Sequence, residues 1–454
     1  MGKISINMGQ VNGSIMSKAK INQLLVKALK VGVLLFGFFI VHPIAARSSV
    51  ITAEKPAGNA IYRDNIRTVQ FFREGWEFSL PVFELGSDQR LLLKFDELAE
   101  SVTNYSYTVT HCDAEWRPSR LVQSEYMTGF IENPVSDYAA SVNTTVRYTN
   151  YLLALPNDQV KFLVSGNYLL TLFDEANRNT PVLTRRFYVL EPSTEIRGEV
   201  KKSTFEGFRG RDQEVDFMID YSRFSIQDPR TEVKVVMMQN GRSDNCLVNL
   251  KPLFVRDNQL SYDLSRENVF AGGNEFRNFD AKNIRINGLG VEKIEFADPL
   301  YQVTLRPDQM HREGDYRQES DLNGRYLIKN DRATDPDLES DYVLVRFSLG
   351  MKEPLLGGNI YVFGGLSDWQ CTQVNKMTWN FEQKQYEASI VLKQGFYDYQ
   401  YVYIQNGEHK IDNTLLEGSH VETENDYHLF VYYRGFASRY DKLIGYRNIN
   451  SVKR

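Results

Sequence analysis

The sequence has 454 residues, enough for about three domains of roughly 150 residues each. Its 26 tyrosines and 27 phenylalanines give an aromatic-rich composition that favours sheets over helices. The first 48 residues contain six basic and no acidic side chains, so the rest of the chain, with 47 basic and 58 acidic residues, has a net charge of −11. Because phosphates require a basic surface, this balance argues against nucleic acid as a partner.

The N-terminal segment has the layout of a secretory signal peptide. Basic residues precede an apolar run of eleven residues, Val31–Val41, and small residues follow it. Eleven residues are too few to span a bilayer, and this order of segments is typical of a cleaved signal. We therefore expect a signal peptide over residues 1–48, with an N-terminal membrane anchor as the alternative. No later segment approaches eighteen apolar residues, so we expect no helical membrane insertion.

The three cysteines do not form a recognisable framework. Cys112, Cys246 and Cys371 are far apart and odd in number. A disulfide scaffold or a zinc site requires closely spaced pairs. We expect the cysteines to be free.

Residues 61–192 are predicted to form a first β-domain. Short runs of β-branched and aromatic residues alternate with turn signals such as Gly86-Ser87-Asp88. This spacing is typical of an antiparallel, immunoglobulin-like sandwich. The predicted strands are Thr68–Phe72, Leu91–Phe95, Tyr105–His111, Thr145–Leu155, Tyr168–Phe173 and Thr184–Leu190.

The stretch from Tyr105 to Ser119 is a strand followed by a loop. Tyr105–His111 alternates perfectly, with Ser or Thr at every even position, which indicates a half-buried strand. Pro118 then excludes a central strand position, so Trp116 lies in a loop. Trp116 either closes a core, as large aromatics beside strands usually do, or serves as a recognition residue.

Residues 193–310 are predicted to form a second β-domain. Asn240-Gly241 is a strong turn signal because both residues tolerate positive φ. Phe270–Asn278 is glycine-rich and has no period, so we expect a loop that carries Phe276 and Arg277. The predicted strands are Val215–Tyr221, Glu232–Met238, Gln259–Tyr262 and Tyr301–Leu305.

Residues 311–340 differ from both neighbours. Thirteen of these thirty residues are charged, and the strand pattern is weak. We interpret the segment as a connection rather than a solvated tail, with an edge strand at Arg325–Lys329.

Residues 341–454 are predicted to form a third β-sandwich with a C-terminal tail. Val343–Leu349 alternates, and Tyr397–Tyr403 places four tyrosines on one face. Gly364–Trp369 resembles the strand-turn-Trp entry of glycogen-binding modules. The tyrosine ladder is therefore either core or a carbohydrate platform. The basic residues Gly435–Arg454 are expected to pack as an irregular tail.

The sequence contains no nucleophile elbow, P-loop or dinucleotide fingerprint. We therefore expect no enzymatic activity and no cofactor. His420–His428 has a carboxylate or histidine at every second position, which would share one face if the segment were a single strand. A solvated face with a turn at Asn425-Asp426 is the commoner meaning of such a pattern, so we expect no metal.

Several short motifs identify a family. His111–Ser119 reads His-Cys-Asp-Ala-Glu-Trp-Arg-Pro-Ser, and Glu125–Phe130 reads Glu-Tyr-Met-Thr-Gly-Phe. Together they resemble the plug protein of the type IX secretion system of Bacteroidota, a family formerly catalogued as a domain of unknown function. The resemblance covers nearly everything after Ile61. It continues through Ser165–Tyr168, Gln239–Arg242, Gly273–Arg277, Asp321–Gly324, Lys393–Tyr397 and Thr423–Tyr427.

The resemblance implies a non-enzymatic periplasmic protein that binds the outer-membrane translocon barrel and seals its periplasmic opening when no cargo passes. The alternative is a periplasmic carbohydrate-binding protein that uses the C-terminal sandwich. For the plug, the candidate interface residues are Trp116, Phe276 and Arg277, together with the charged segment 311–340.

Overall fold

The computed structural model describes residues 58–207, 209–311, 316 and 318–452. The expected signal peptide lies outside the described residues. Within them the fold is all-β, as predicted, and every α-helix is four residues long. No helix in these ranges is long and apolar enough to cross a membrane. The helices are α1 (Gln123–Tyr126), α2 (Pro229–Glu232), α3 (Pro336–Glu339) and α4 (Thr414–Glu417), with 3-10 turns at Arg266–Asn268 and Gly365–Ser367.

The first part of the chain forms a sandwich. Its strands are β1 (Ala60–Ile61), β2 (Ile66–Arg73), β3 (Val82–Glu84), β4 (Leu91–Glu97), β5 (Tyr105–Cys112), β6 (Met127–Thr128), β7 (Glu132–Pro134), β8 (Asp137–Ala140), β9 (Thr149–Leu155), β10 (Lys161–Phe162), β11 (Gly166–Asp174) and β12 (Asn177–Leu190). One sheet has the order β1-β12-β11-β5-β7, with β3 beside β12, and the other has the order β2-β4-β9-β8. The first core lies between them and includes Tyr107, Leu170 and Phe187, each 0% exposed.

The next strands begin a second sandwich. They are β13 (Glu195–Lys202), β14 (Asp212–Asp220), β15 (Val233–Gln239), β16 (Leu247–Val248), β17 (Phe254–Arg256), β18 (Gln259–Ser261) and β19 (Val269–Ala271). One sheet has the order β13-β14-β18-β17, with β19 beside β14. The predicted turn after β15 is confirmed, because Asn240 and Gly241 have φ of 53° and 73°. The amide N–H of Arg242 closes this turn by donating to the carbonyl of Gln239 over 3.0 Å.

A third sandwich follows. Its strands are β20 (Arg277–Asp280), β21 (Val291–Ala297), β22 (Leu300–Leu305), β23 (Asp308–Gln309), β24 (Tyr326–Ile328), β25 (Tyr342–Gly350), β26 (Gly358–Phe363), β27 (Thr378–Asn380), β28 (Gln385–Lys393) and β29 (Gly395–Gln405). The sheet β21-β22-β25-β28-β27 faces strands that pair with β29. The third core includes Phe279, Val345 and Tyr401, all buried. The expected edge strand in the charged segment is confirmed as β24.

The last two strands return to the second sandwich. β30 (Asp426–Tyr433) and β31 (Lys442–Asn450) complete a sheet of order β16-β15-β30-β31, in which Val235 lies opposite Val431. The second core includes Val215, Val235 and Val431, each 0% exposed. The expectation of an irregular tail after Gly435 was wrong, because Lys442–Asn450 is a strand whose Leu443 and Ile444 are buried.

The three cores do not correspond to three consecutive stretches of the chain. Residues 341–454, expected to form one domain, contribute strands to both the third and the second core. The pairing of β15 with β30 closes the second sandwich around the inserted third one. The described residues, from 58 to 452, accordingly belong to one compact unit.

Candidate functional site

The loop after β5 is tightly ordered. Its carboxylate Asp113 accepts hydrogen bonds from the backbone N–H groups of Glu115 (3.0 Å) and Arg117 (2.9 Å). Trp116 has a φ of 65°, in the left-handed region. A side chain that satisfies two backbone donors offsets the strain of such a turn. The loop therefore holds Trp116 in one fixed orientation.

Trp116 closes a small core between the first and second sandwiches. Its ring packs edge-on against Tyr188 with 5.3 Å between centroids. The guanidinium of Arg186 lies 4.3 Å from the Trp116 ring centroid, a favourable cation–π geometry. Met238 and Phe430 of the second sandwich belong to the same cluster. Of the two interpretations of Trp116, core closure fits these contacts, while the half-buried ring keeps part of its surface in solvent.

Three carboxylates meet at this junction. The oxygens of Asp113, Glu115 and Asp441 lie within 4.8 Å of one another, close enough for a metal ion. However, Lys234 lies 3.0 Å from Glu115 and 3.3 Å from Asp441. Arg117 pairs with Asp113 and Arg434 with Asp441. Together with Lys234, three cations therefore surround the three carboxylates. The cluster is a balanced ion-pair network that fastens the loop to β15 and to the turn before β31.

His111 of the same motif is a structural residue. It is 1% exposed, and burial lowers its pKa to about 4. The backbone of Gly166 crosses directly over the ring, so that a Cβ there would lie 2.5 Å from Nε2 of His111. An imidazole packed this closely fills the contact between β5 and β11.

Phe276 and Arg277 lie at the junction of the second and third cores. Phe276 is 5% exposed and packs against Trp369 at 6.0 Å. Arg277 forms ion pairs of 2.9 Å with both Asp308 and Glu417. Although burial disfavours its charge, Glu417 has a pKa lowered to about 2 by Arg277 and His311. In this conformation both residues are committed to internal contacts, and Arg277 opens strand β20 rather than lying in the expected loop.

A group of buried acids lies beside Phe276. Burial raises the pKa of Glu275 to about 7, of Asp321 to about 6 and of Asp398 to about 8. The group is tied to the charged segment, because Tyr316 donates its hydroxyl to Glu275 over 2.9 Å. Asp398 accepts from the backbone N–H groups of Leu322 and Gly324. The charged segment is thus anchored to the rest of the protein by carboxyl groups whose pKa values are raised by burial.

The tyrosine ladder of β29 lies mostly in the third core. Tyr397, Tyr399 and Tyr401 are 2%, 4% and 0% exposed and belong to the third core. Trp369 is enclosed by Phe276 and Phe363. Sugars stack on accessible ring faces, and the faces of Tyr397, Tyr399 and Tyr401 lie in the core. Three of the four tyrosines on which the alternative function depended are therefore core residues, while Tyr403 and Trp369 are half-buried.

The His420–His428 segment does not act as a single ligand face. It bends before β30, and its side chains turn to different partners. Asp426 lies 3.3 Å from Arg325, while Nδ1 of His428 lies 2.9 Å from the hydroxyl of Tyr446. Burial lowers the pKa of His428 to about 3. His420 and His428 are buried while Glu422 is exposed, so the five groups do not share one surface.

An exposed apolar loop was missed by the sequence reasoning. Phe130 and Ile131 are adjacent in the chain and are 79% and 69% exposed. Gly129 holds the loop at φ 99°, where a Cβ would lie 1.9 Å from the carbonyl oxygen of Gln159. The sequence did contain one signal for this loop, because Gly129-Phe130 ends the family motif Glu125–Phe130. We call Gly129–Ile131 the apolar loop.

Comparison with known proteins is consistent with this architecture. Residues 66–191 match the family model described as "Type 9 secretion system plug protein 1st domain". A crystal structure of a hypothetical protein from Parabacteroides merdae is 37% identical and covers 87% of this chain and 99% of that chain, with a TM-score of 0.85.

The comparison with dimeric latent PorU from Porphyromonas gingivalis gives 10% identity over 85% of this chain and 34% of that chain, with a TM-score of 0.14. No curated protein matches the sequence. On the family match, the chain belongs to the plug protein family of the type IX secretion system.

Proposed function

We propose that this component of the type IX secretion system is a non-enzymatic periplasmic protein that binds the outer-membrane translocon barrel and seals its periplasmic opening between transport events. Family membership supports the association with the system. The signal-like N-terminus predicted from the sequence supports export.

The observation that carries the sealing role is the interlocking of the three cores. Asp96 of the first sandwich and Lys393 of the third form an ion pair of 2.6 Å, with both side chains 1% exposed. Lys234 of the second sandwich joins the loop that carries Trp116. A stopper must arrive as a rigid body, because a disordered one would lose conformational entropy at every closure. Three cores joined by ion pairs of this kind form a rigid body.

The apolar loop is the surface we favour for contact with the barrel. An interface that must also release is polar at its rim and depends on a few apolar anchors. Phe130 and Ile131 supply such anchors on a backbone fixed by Gly129. The charged segment 311–340 remains our candidate for electrostatic steering. Trp116 is half-buried, and its role as an anchor stays a prediction.

Deletion of this protein with the barrel left intact tests the proposal. Entry of a large hydrophilic antibiotic should rise, because the barrel mouth stays open. Secreted protein levels should largely survive, because a stopper does no work on cargo. Unchanged permeability together with abolished secretion would instead indicate a role in transport or assembly.

A matched pair of variants separates sealing from mere presence. Phe130→Asp in the apolar loop should increase antibiotic entry while the protein remains abundant. Phe381→Asp, at a position 80% exposed on the third sandwich, is the control and should leave entry unchanged. Equal effects of both variants would argue against the apolar loop as the docking surface.

A further inference from the structure

A cavity of about 230 Å³ lies between the first and third sandwiches. Ile66 of β2 and Ile390 and Leu392 of β28 form an apolar part of its wall, and all three are buried. The other side is formed by the turn Gly365–Ser367 and its neighbours. A cavity of about 150 Å³ already holds benzene. This one therefore has room for a small apolar group.

The strand on one side of the cavity is locally distorted. Arg67 lies opposite Asp96 and Gln70 opposite Lys94, so two residues of β2 face one of β4, which is a β-bulge. Thr68, within the bulge, has a φ of 49°, a rare conformation for a β-branched residue. The hydroxyl of Thr68 is held 2.6 Å from that of Tyr342. Bulges of this kind re-aim side chains, and here Arg67 is among the residues that line the cavity.

Among the described charged residues that line the cavity, Arg63, Arg185 and Asp368 form ion pairs, whereas Arg67 and Asp64 form none. Arg185 lies 3.1 Å from Asp368, and Arg63 lies 2.8 Å from Asp174. Among the described residues, the guanidinium of Arg67 has no hydrogen bond or ion pair. The remaining acid of the lining, Asp64, is exposed and does not pair with it. Arg67 therefore supplies a planar set of free N–H donors beside an apolar wall.

We propose that this cavity binds a carboxylate that carries a short apolar group. The carboxylate would accept the bidentate hydrogen bonds that a guanidinium offers, and the apolar group would occupy the space beside Ile390 and Leu392. Two sources have this chemistry: a free organic acid and the C-terminal residue of a polypeptide. The proposal does not depend on the sealing function.

Calorimetric titration of the purified protein with 3-phenylpropanoate and with its uncharged amide tests the charge requirement. The acid should bind with one site per chain, and the amide about tenfold or more weaker. Arg67→Gln should reduce acid binding to the level of the amide. Arg256→Gln, an exposed arginine of the second sandwich, is the control and should change nothing.

A substitution that fills the cavity tests whether the ligand binds there. Val374 lines the cavity but is 50% exposed, so Val374→Trp should block the site without disturbing a core. Circular dichroism confirms folding of each variant. Two tripeptides ending in phenylalanine, one with a free and one with an amidated C-terminus, distinguish a polypeptide end from a free organic acid as the ligand. Binding at least about tenfold tighter than 3-phenylpropanoate indicates a polypeptide end, and equal affinity a small acid.

Three results would overturn the proposal. One is the absence of binding of either carboxylate at millimolar concentration. The second is equal affinity for acid and amide in both ligand pairs. The third is undiminished binding in folded Arg67→Gln or Val374→Trp protein.

Discussion

Asp96 and Lys393 are 297 positions apart in the chain, and their side chains meet at 2.6 Å in the interior. The hydroxyl of Tyr342 also donates to Asp96 over 2.7 Å. Burial raises the pKa of Asp96 against the effect of Lys393. Charges removed from water in this way are tolerated only as a pair, so the contact fixes how the first and third sandwiches meet.

Lys393→Met should destabilise the protein by about 3–5 kcal/mol, because it leaves the Asp96 carboxylate buried without its cation. Urea denaturation monitored by tryptophan fluorescence measures the loss. Arg90→Met is the matched control, since its ion pair with Glu74 is exposed and should contribute little. Equal midpoints for Lys393→Met and the unmodified protein would contradict a structural role for the buried pair.

Tyr107→Asp should also be severely destabilising. Tyr107 is 0% exposed in the first core, and an aspartate there would place a charge among apolar side chains at a cost of several kcal/mol. Tyr107→Phe is the conservative partner, which removes only the hydrogen bond from Asn157, worth about 1 kcal/mol. Thermal unfolding compares the two. A similar small loss for both would mean that the strand is less buried than the structure shows.

Sequence alone predicted the strands whose pattern is local. Tyr105–His111 and Val343–Leu349 alternate because each has one face on a core, and both are strands in the structure. The path of the chain between cores has no such local signal. The pairing of Val233–Gln239 with Asp426–Tyr433 depends on residues nearly two hundred positions apart, as in the contact of Met237 with Leu429.

The candidate interface was harder to predict than the fold. Phe276 and Arg277 occur in a glycine-rich segment, which suggested an exposed loop. Their burial results from Asp308, Glu417 and Trp369, none of which is adjacent in sequence. A non-periodic segment indicates irregular backbone but not its accessibility, and packing between distant segments decides the latter.

Three buried acids should lower stability as the pH rises from about 5 to 8, whereas His111 and His428, whose pKa values burial lowers to about 4 and 3, oppose this effect below about pH 6.5. Asp398, with a pKa raised by burial to about 8, retains its proton in the folded protein over a range in which the unfolded chain has lost it. At this carboxyl group the native state therefore binds more protons than the unfolded state, and a rise in pH favours unfolding. Glu275 and Asp321, with pKa values of about 7 and 6, act in the same direction.

Asp398→Asn should reduce this pH dependence, because the amide oxygen can still accept from Leu322 and Gly324 but cannot ionise. Unfolding free energies at pH 5 and pH 8 give the test, and the variant should recover up to about 3 kcal/mol of the difference. The same slope in both proteins would show that Asp398 ionises normally in the folded state.

The last prediction concerns the apolar loop and depends on the proposed contact with the translocon barrel. Phe130→Asp replaces an apolar anchor by a charge and should reduce co-purification with the barrel by about tenfold or more, the loss typical of a central anchor residue. Gly129→Ala should have a similar effect by another route. Its Cβ would lie 1.9 Å from the carbonyl oxygen of Gln159, so the loop must change course and displace an otherwise unaltered Phe130.

Agreement between the two variants is the decisive point, because one changes the chemistry of the loop and the other its shape. Pull-down from detergent-solubilised outer membrane measures retention, with Phe381→Asp as the exposed-aromatic control. Thermal unfolding excludes global instability, since Phe130 is 79% exposed and its loss should not affect a core. If both loop variants retain the barrel as well as the control does, the contact lies elsewhere, and the exposed edge of Trp116 becomes the next position to substitute.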